Sequence, residues 1–244
     1  MLASFTLALQ FLTRLPFNPG ITISDQRIGH SVLFYPLIGL LIGAILALLN
    51  LLLPEQSFTL NAAIILTAWV LLTGGLHLDG LADCSDAWVG GLANKERSLA
   101  IMKDPAAGPI AVVMLILLML LKWTALQSLL LQQQTFIPLL LAPFLGRLSI
   151  LILMLSTPYI RKNGLGSAMQ QHLPRRPAKL IVLFSLILCF WLINIYTLLA
   201  LLTLIALIRY LALQRIQGLT GDVYGASVEM VETMILISLV WTNG

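Results

Sequence analysis

GGLHLDGLADCSDAW, residues 74–88, sets three aspartates within eight positions at the end of a long apolar run. The rest of the chain explains why that is unusual. Of its 244 residues 59% are hydrophobic and only 10% charged, too little polar surface to cover a soluble globule of this size. Runs near the roughly 20 apolar residues that a membrane-crossing helix needs occur at 32–53, 60–78, 109–131 and 136–156. A longer stretch, 179–213, is interrupted by Asn194 and Tyr196, which predicts two shorter helices, and a last run covers about 226–241. Composition and run length together predict an all-α polytopic membrane bundle of about seven transmembrane helices, preceded by a short N-terminal helix over 1–13 at the interface or partly inserted. That leading segment lacks a basic start and a small-residue cleavage site, so it is expected to be mature structure. Cys84 and Cys189 have no metal-type spacing and are expected to be reduced packing residues. No repeat and no long polar segment divides the chain, so 1–244 is expected to be a single integral-membrane domain.

The net charge of +4 does not mark a nucleic-acid binder, because the basic residues sit in short segments beside apolar runs. With the amino-terminal segment inside, Lys and Arg fall in 14–31, 79–108, 157–178 and 209–225, while 54–59, 132–135, the turn near Asn194 and the carboxyl terminus hold none. Short cytoplasmic loops carry this excess, so Asp79, Asp83, Asp86, Asp104 and Asp222 are expected on the cytoplasmic side.

On a helix Asp79, Asp83 and Asp86 fall at i, i+4 and i+7 and share a face, provided the helix of the second span continues through them. Three like charges repel unless a cation lies among them, and oxygen donors of this kind suit Mg²⁺ or Mn²⁺. A solvated acidic loop is the plain alternative. A second acidic group, Asp222, Glu229 and Glu232 in GLTGDVYGASVEMVE (218–232), begins the last hydrophobic helix. Asp222 there is equally readable as a helix cap, whereas buried glutamates call for a metal, an arginine or a substrate. Arg147 lies inside a span and requires a carboxylate or a polar cavity. Arg14 and Arg161 stand beside helix breakers, where they either grip phosphate or serve topology. His77 points away from the acidic face and reads as a boundary hydrogen-bonding residue. No Ser-His-Asp or Cys-His arrangement can be assembled. Carboxylates and arginines at one membrane face fit metal-assisted transfer of a phosphorus-containing group, with one carboxylate taking a proton from an attacking hydroxyl.

FLTRLPF (11–17), YPLIGLLIG (35–43), GGLHLDGLADCSDAW, IMKD (101–104), RKNGLG (161–166) and GLTGDVYGASVEMVE stand in one order along the chain. In that order and spacing the chain resembles the cobalamin-5′-phosphate synthases, also called adenosylcobinamide-GDP ribazoletransferases, over nearly its whole length. The resemblance implies a Mg²⁺-dependent enzyme of a prokaryotic cytoplasmic (inner) membrane that joins adenosylcobinamide-GDP to α-ribazole, or to α-ribazole 5′-phosphate, and releases GMP. Asp79, Asp83 and Asp86 would then hold metal on the diphosphate, Asp104, Asp222 and Glu229 would be further ligands or the base, and Arg14, Lys103 and Arg161 would bind phosphate. The implied partners are the two substrates and the lipid bilayer, with a second copy of the chain or late cobalamin-assembly enzymes beside them, and no nucleic acid. One departure stands out. After the M-R/K-D element the family continues S-R-x-G-x-x-G, but this chain has PAAGPIA at 105–111, so a basic residue is missing at Ala106 and Lys95 or Arg97 would have to compensate. Membrane CDP-alcohol phosphotransferases share a D-G-x-x-A element but need later aspartate spacings absent after Asp86. A transporter would place its charges near the midplane in paired halves.

Overall fold

The structure is a computed structural model, and it describes residues 1–16, 20, 22–162 and 164–243. Phe17 of the first motif and Asn163 of RKNGLG lie outside the described residues. Every regular element described is helical. In chain order these are α1 (Leu2–Leu12), α2 (Asp25–Ser31), a 3₁₀ turn (Val32–Phe34) leading directly into α3 (Tyr35–Leu52), α4 (Phe58–Thr73), α5 (Leu76–Gly90) and α6 (Lys95–Ile101). There follow α7 (Pro109–Leu131), α8 (Phe136–Ser156), α9 (Leu165–Gln171), α10 (Arg175–Leu192), α11 (Ile195–Ile216) and α12 (Gly221–Asn243).

The helix ends have local causes. Ser24, Ser57, Asn94 and Asn194 each accept a backbone N–H three residues on, and so cap α2, α4, α6 and α11. The Asn194 cap is why the apolar stretch at 179–213 breaks into two helices where expected. The other expectation about continuity fails. Gly74 and Gly75 both take left-handed backbone conformations, with φ of 66° and 69°, and end α4. The next helix sets off at 89° to it. The aspartates therefore share a helix of their own, not an extension of the second span.

Among the described residues five helices are long and apolar enough to cross a membrane: α2 with α3 as one segment, α7, α8, α11 and α12; the bent pair α4 and α5 makes up to six. The expected count of about seven included α10. Its first turns carry Arg175, Arg176 and Lys179, and its uncharged remainder, 180–192, is about 20 Å long against a hydrocarbon core of roughly 30 Å.

The bundle is built around α8 and α12, which are mostly buried, while α7 and α11 are mostly exposed. On α7 the exposed side chains include Val112, Val113, Ile116, Leu117, Leu120 and Leu121, and α10 presents Leu183, Phe184, Ile187 and Trp191. Apolar surface of that extent is stable only in lipid or against another apolar body. Small residues set the tight crossings. A Cβ at Gly39 or Gly43 would strike the α8 backbone at Pro143 or Leu139, so α3 and α8 approach closely. Pro143 has no N–H for the Leu139 carbonyl, and Gly43 packs against that carbonyl. On the other side of the core Gly80 of α5 meets α12: a Cβ there would lie 2.7 Å from the Asp222 carbonyl oxygen and 3.1 Å from Gly225 Cα.

Candidate active site

The contact between α5 and α12 brings together acids that are 143 positions apart in the chain, Asp79 and Asp222. Both line a cavity of about 260 Å³. Asp83, one turn on from Asp79, lies within electrostatic reach of Asp222, Asp79 and Arg161. Arg161 comes from the loop after α8. That loop is fixed by a two-residue bridge in which Ile160 N–H donates to the Leu219 carbonyl (3.0 Å) and Leu219 N–H to the Pro158 carbonyl (2.9 Å). Pinned in this way to the segment before α12, Arg161 Nη2 donates to Asp222 Oδ2 at 2.7 Å and also reaches the Met102 carbonyl at 3.4 Å. Its Nε is buried and has no hydrogen-bond partner among the described residues. Thr220 Oγ1 donates to the same Asp222 oxygen at 3.2 Å. Beside this pair the rings of Tyr159 and Tyr224 stack with centroids 6.1 Å apart. Burial pushes the Tyr159 phenol above its ordinary range, with Arg161 acting in the opposite direction, so the hydroxyl stays protonated.

Other expected site residues lie elsewhere. Asp86 is within electrostatic reach of Asp83, but its oxygens are engaged elsewhere. Its carboxylate accepts the backbone N–H groups of Gly108 (2.6 Å) and Ala111 (2.9 Å), and so caps the start of α7 from a neighbouring helix. Among the described residues no three His, Cys, Asp or Glu side chains converge as a metal-holding group. Asp104 Oδ1 accepts the N–H of Ala106 at 3.0 Å and shapes an exposed turn, and Lys103 is exposed on the same turn. Lys95 bonds Gln217 Oε1 at 2.8 Å. Arg14 lies at the bend before α5: its N–H donates to the Leu72 carbonyl at 2.8 Å, and its side chain fills the space a Cβ on Gly74 would need.

Glu229 is also elsewhere, two turns deeper along α12, and it is buried. It pairs with Lys122 Nζ at 2.6 Å; the same ammonium bonds Glu232 at 2.6 Å, and Glu232 pairs in turn with Arg147. Arg147 Nη2 lies 3.5 Å from His77 Nδ1. The carboxylate that Arg147 requires is therefore Glu232, and His77, expected as a boundary residue pointing away from the acids, is buried beside Arg147 and lines the same cavity as Asp79 and Asp222. Lys122 is the residue that sequence reasoning passed over. The signal was present, a lone ammonium in the middle of the apolar run 109–131.

Fold and site together define a polytopic membrane protein whose acidic cavity, with Arg161 paired to its Asp222, forms where α8 ends and α12 begins. Comparison with known proteins makes this specific: residues 4–240 match the cobalamin-5-phosphate synthase family, and the chain belongs to it. It is 48% identical over 239 residues to the adenosylcobinamide-GDP ribazoletransferase of Pseudomonas fluorescens strain Pf-5, covering 96% of this chain and 98% of that one. It is 51% identical over 236 residues to the adenosylcobinamide-GDP ribazoletransferase of Ectopseudomonas mendocina, covering 96% of each. No solved structure matches.

Proposed function

We propose that this chain transfers the adenosylcobinamide-phosphate part of adenosylcobinamide-GDP to α-ribazole, or to its 5′-phosphate, with release of GMP. The observation that carries the proposal is the convergence of Asp79, Asp83 and Asp222 with Arg161, whose buried Nε has no partner among the described residues. A buried N–H donor is costly to leave unpaired, and a diphosphate oxygen would satisfy it.

The donor set suits Mg²⁺, with Mn²⁺ as its substitute. Asp79, Asp83 and Asp222 bring hard carboxylate oxygens together here, and Mg²⁺ is commonly bound by one or two carboxylates with water and substrate phosphate filling the rest of its shell. Three converging protein ligands are not needed for that. Asp83 and Asp222 would hold the ion, which when bound supplies charge neutralisation for the diphosphate and its leaving phosphate. Arg161 pairs with Asp222 and orients it, and donates through Nε to the diphosphate. Asp79 lines the cavity with no salt bridge among the described residues, and takes the proton of the attacking ribazole hydroxyl. Arg14, at the bend before α5, meets the outer phosphate. The chain works as one membrane domain in a prokaryotic cytoplasmic membrane with the site toward the cytoplasm, a placement supported by the Lys and Arg content of the loops on that side.

The test is direct. Purified protein in liposomes, given adenosylcobinamide-GDP, α-ribazole and Mg²⁺, is expected to release GMP and form the joined corrinoid. Release of CMP from CDP-diacylglycerol and an alcohol, with no GMP from the first mixture, would replace this reaction with that of a CDP-alcohol phosphotransferase.

A further inference from the structure

The cavity that Asp79 and Asp222 border has walls unlike those of a phosphate site. Four aromatic side chains line it, in two stacked pairs. Tyr159 and Tyr224 lie with centroids 6.1 Å apart and planes 12° from parallel; Phe11 and Tyr35 lie 6.1 Å apart at 20°. The other lining side chains are Leu76, Ile150, Met154, Leu165 and Met169, together with the buried imidazole of His77, whose Nδ1 lies 3.5 Å from Arg147 Nη2. Gly80, Gly221 and Gly225 contribute backbone without side chains, and a Cβ at Gly221 would meet nothing within 4 Å. The space is therefore bounded by ring faces and methyl groups, with room left by glycine.

Tyr224 gives the cavity its polar requirement. The residue is 5% exposed, and its hydroxyl has no hydrogen-bond partner among the described residues. A buried hydroxyl of this kind calls for an acceptor from a ligand. The carboxylates Asp79 and Asp222 stand at the polar side of the cavity, where the reacting phosphate and hydroxyl belong.

Resting on the proposed reaction, we infer that this cavity holds the benzimidazole ring of the ribazole nucleoside, with Tyr224 donating to the ring nitrogen and the ribose hydroxyl directed at Asp79. The competing ring is the guanine of the other substrate. Guanine carries an exocyclic amine, a ring N–H, a carbonyl oxygen and ring-nitrogen acceptors; the proposed reaction commits the two carboxylates to the reacting phosphate and hydroxyl, and the remaining lining offers guanine only His77 and one free hydroxyl among aromatic and aliphatic side chains, which leaves most of those groups unpaired. A dimethylbenzimidazole has methyl groups for the aliphatic wall, a flat face for the tyrosines and a single free ring-nitrogen acceptor for the hydroxyl. It satisfies the cavity without leaving donors stranded.

The experiment compares steady-state kinetics of the full-length protein in liposomes with Tyr224→Phe and Tyr159→Leu, titrating each substrate in turn. Tyr224→Phe keeps the ring and loses only the hydroxyl, so KM for α-ribazole is expected to rise about fivefold, the worth of one neutral hydrogen bond. Tyr159→Leu removes the stacking partner, and a rise of about five- to tenfold is expected. KM for adenosylcobinamide-GDP should stay within about twofold in both. Free 5,6-dimethylbenzimidazole, used on the wild-type protein and so independent of how the variants fold, should inhibit competitively against α-ribazole and not against adenosylcobinamide-GDP. Normal GMP release by the wild type with an unchanged ribazole KM in both variants overturns the ring site and leaves the reaction standing. A KM rise confined to adenosylcobinamide-GDP assigns the cavity to guanine and also overturns it. Absence of GMP from the wild type overturns the reaction, and the ring site falls with it.

Discussion

Removing Lys122 should destabilise the bundle more than any exposed change, and the structure shows how the loss can be recovered. The buried group formed by Lys122, Arg147, Glu229 and Glu232 holds two cations and two anions, each residue 5% exposed or less. Lys122→Met leaves two carboxylates facing one guanidinium, a net negative charge in the interior of the bundle. Breaking a buried pair by deleting one partner costs about 3–5 kcal/mol, because the remaining charge is stranded. A smaller loss comes from the Trp69 ring, whose centroid lies 4.9 Å from the ammonium and which contributes about 0.5–2 kcal/mol. Glu229→Gln has the opposite imbalance but leaves Lys122 paired with Glu232, so its cost should be near the lower end. The double variant Lys122→Met with Glu229→Gln is neutral again, with Arg147 still on Glu232. It should recover about 2–4 kcal/mol relative to the sum of the single changes. The assay is reversible unfolding of the purified protein in mixed micelles, run as a double-mutant cycle. Additivity within about 0.5 kcal/mol would show that the two groups do not interact, and the reasoning built on this network would be refuted.

Asp86→Asn should lower stability by about 0.5–2 kcal/mol through the weakened α7 cap while leaving the Mg²⁺ concentration for half-maximal activity unchanged; Asp83→Asn should abolish turnover with normal stability. A Mg²⁺ requirement that moves with Asp86 and not with Asp83 would reverse this assignment. Arg161→Lys keeps a charge beside Asp222 but loses the unpartnered Nε donor, and kcat should fall about 10²–10³-fold; a loss under tenfold in turnover assays would remove Arg161 from the diphosphate. Gly80→Ala forces a methyl group against the Asp222 carbonyl and should cost about 1–3 kcal/mol together with most of the activity, whereas a fully active Ala variant would mean that α12 can slide on α5 without harm to the site.

Much of this was legible in the chain. Apolar run length gave the helices, Asn194 marked a real cap, and the i, i+4 spacing placed Asp79 and Asp83 together because both lie on one helix. What stayed hidden shares a cause. Periodicity says which residues share a face, not what the face meets. Asp86 continues the same stripe, yet it meets the amide groups of Gly108 and Ala111. Asp222 and Glu229 share a stripe of α12 but sit about 10 Å apart along it, so one borders the cavity and the other enters the bundle. A Gly-Gly pair does not by itself say whether it gives room or a turn; Gly74 and Gly75 both take left-handed conformations and turn the chain, with Arg14 in the space beside Gly74. Lys122 was lost for another reason, since hydropathy averaging over a long span absorbs a single charge.

The two sets of charges on α5 and α12 are separated by depth. Asp79, Asp83 and Asp222 repel one another at the contact of the two helices, which taken alone would drive that contact apart. Two features oppose this. Gly80 and Gly225 let the backbones meet with no side chain between them, and further along α12 its glutamates are tied to α7 through Lys122 and to α8 through Arg147. Because the holding charges are paired within the protein, they ask nothing of a ligand; because the cavity charges are not neutralised by Arg161 alone, they leave a net negative site. A site strained in this way gains stability when a cation and a diphosphate arrive, and the deeper network keeps its geometry when they leave.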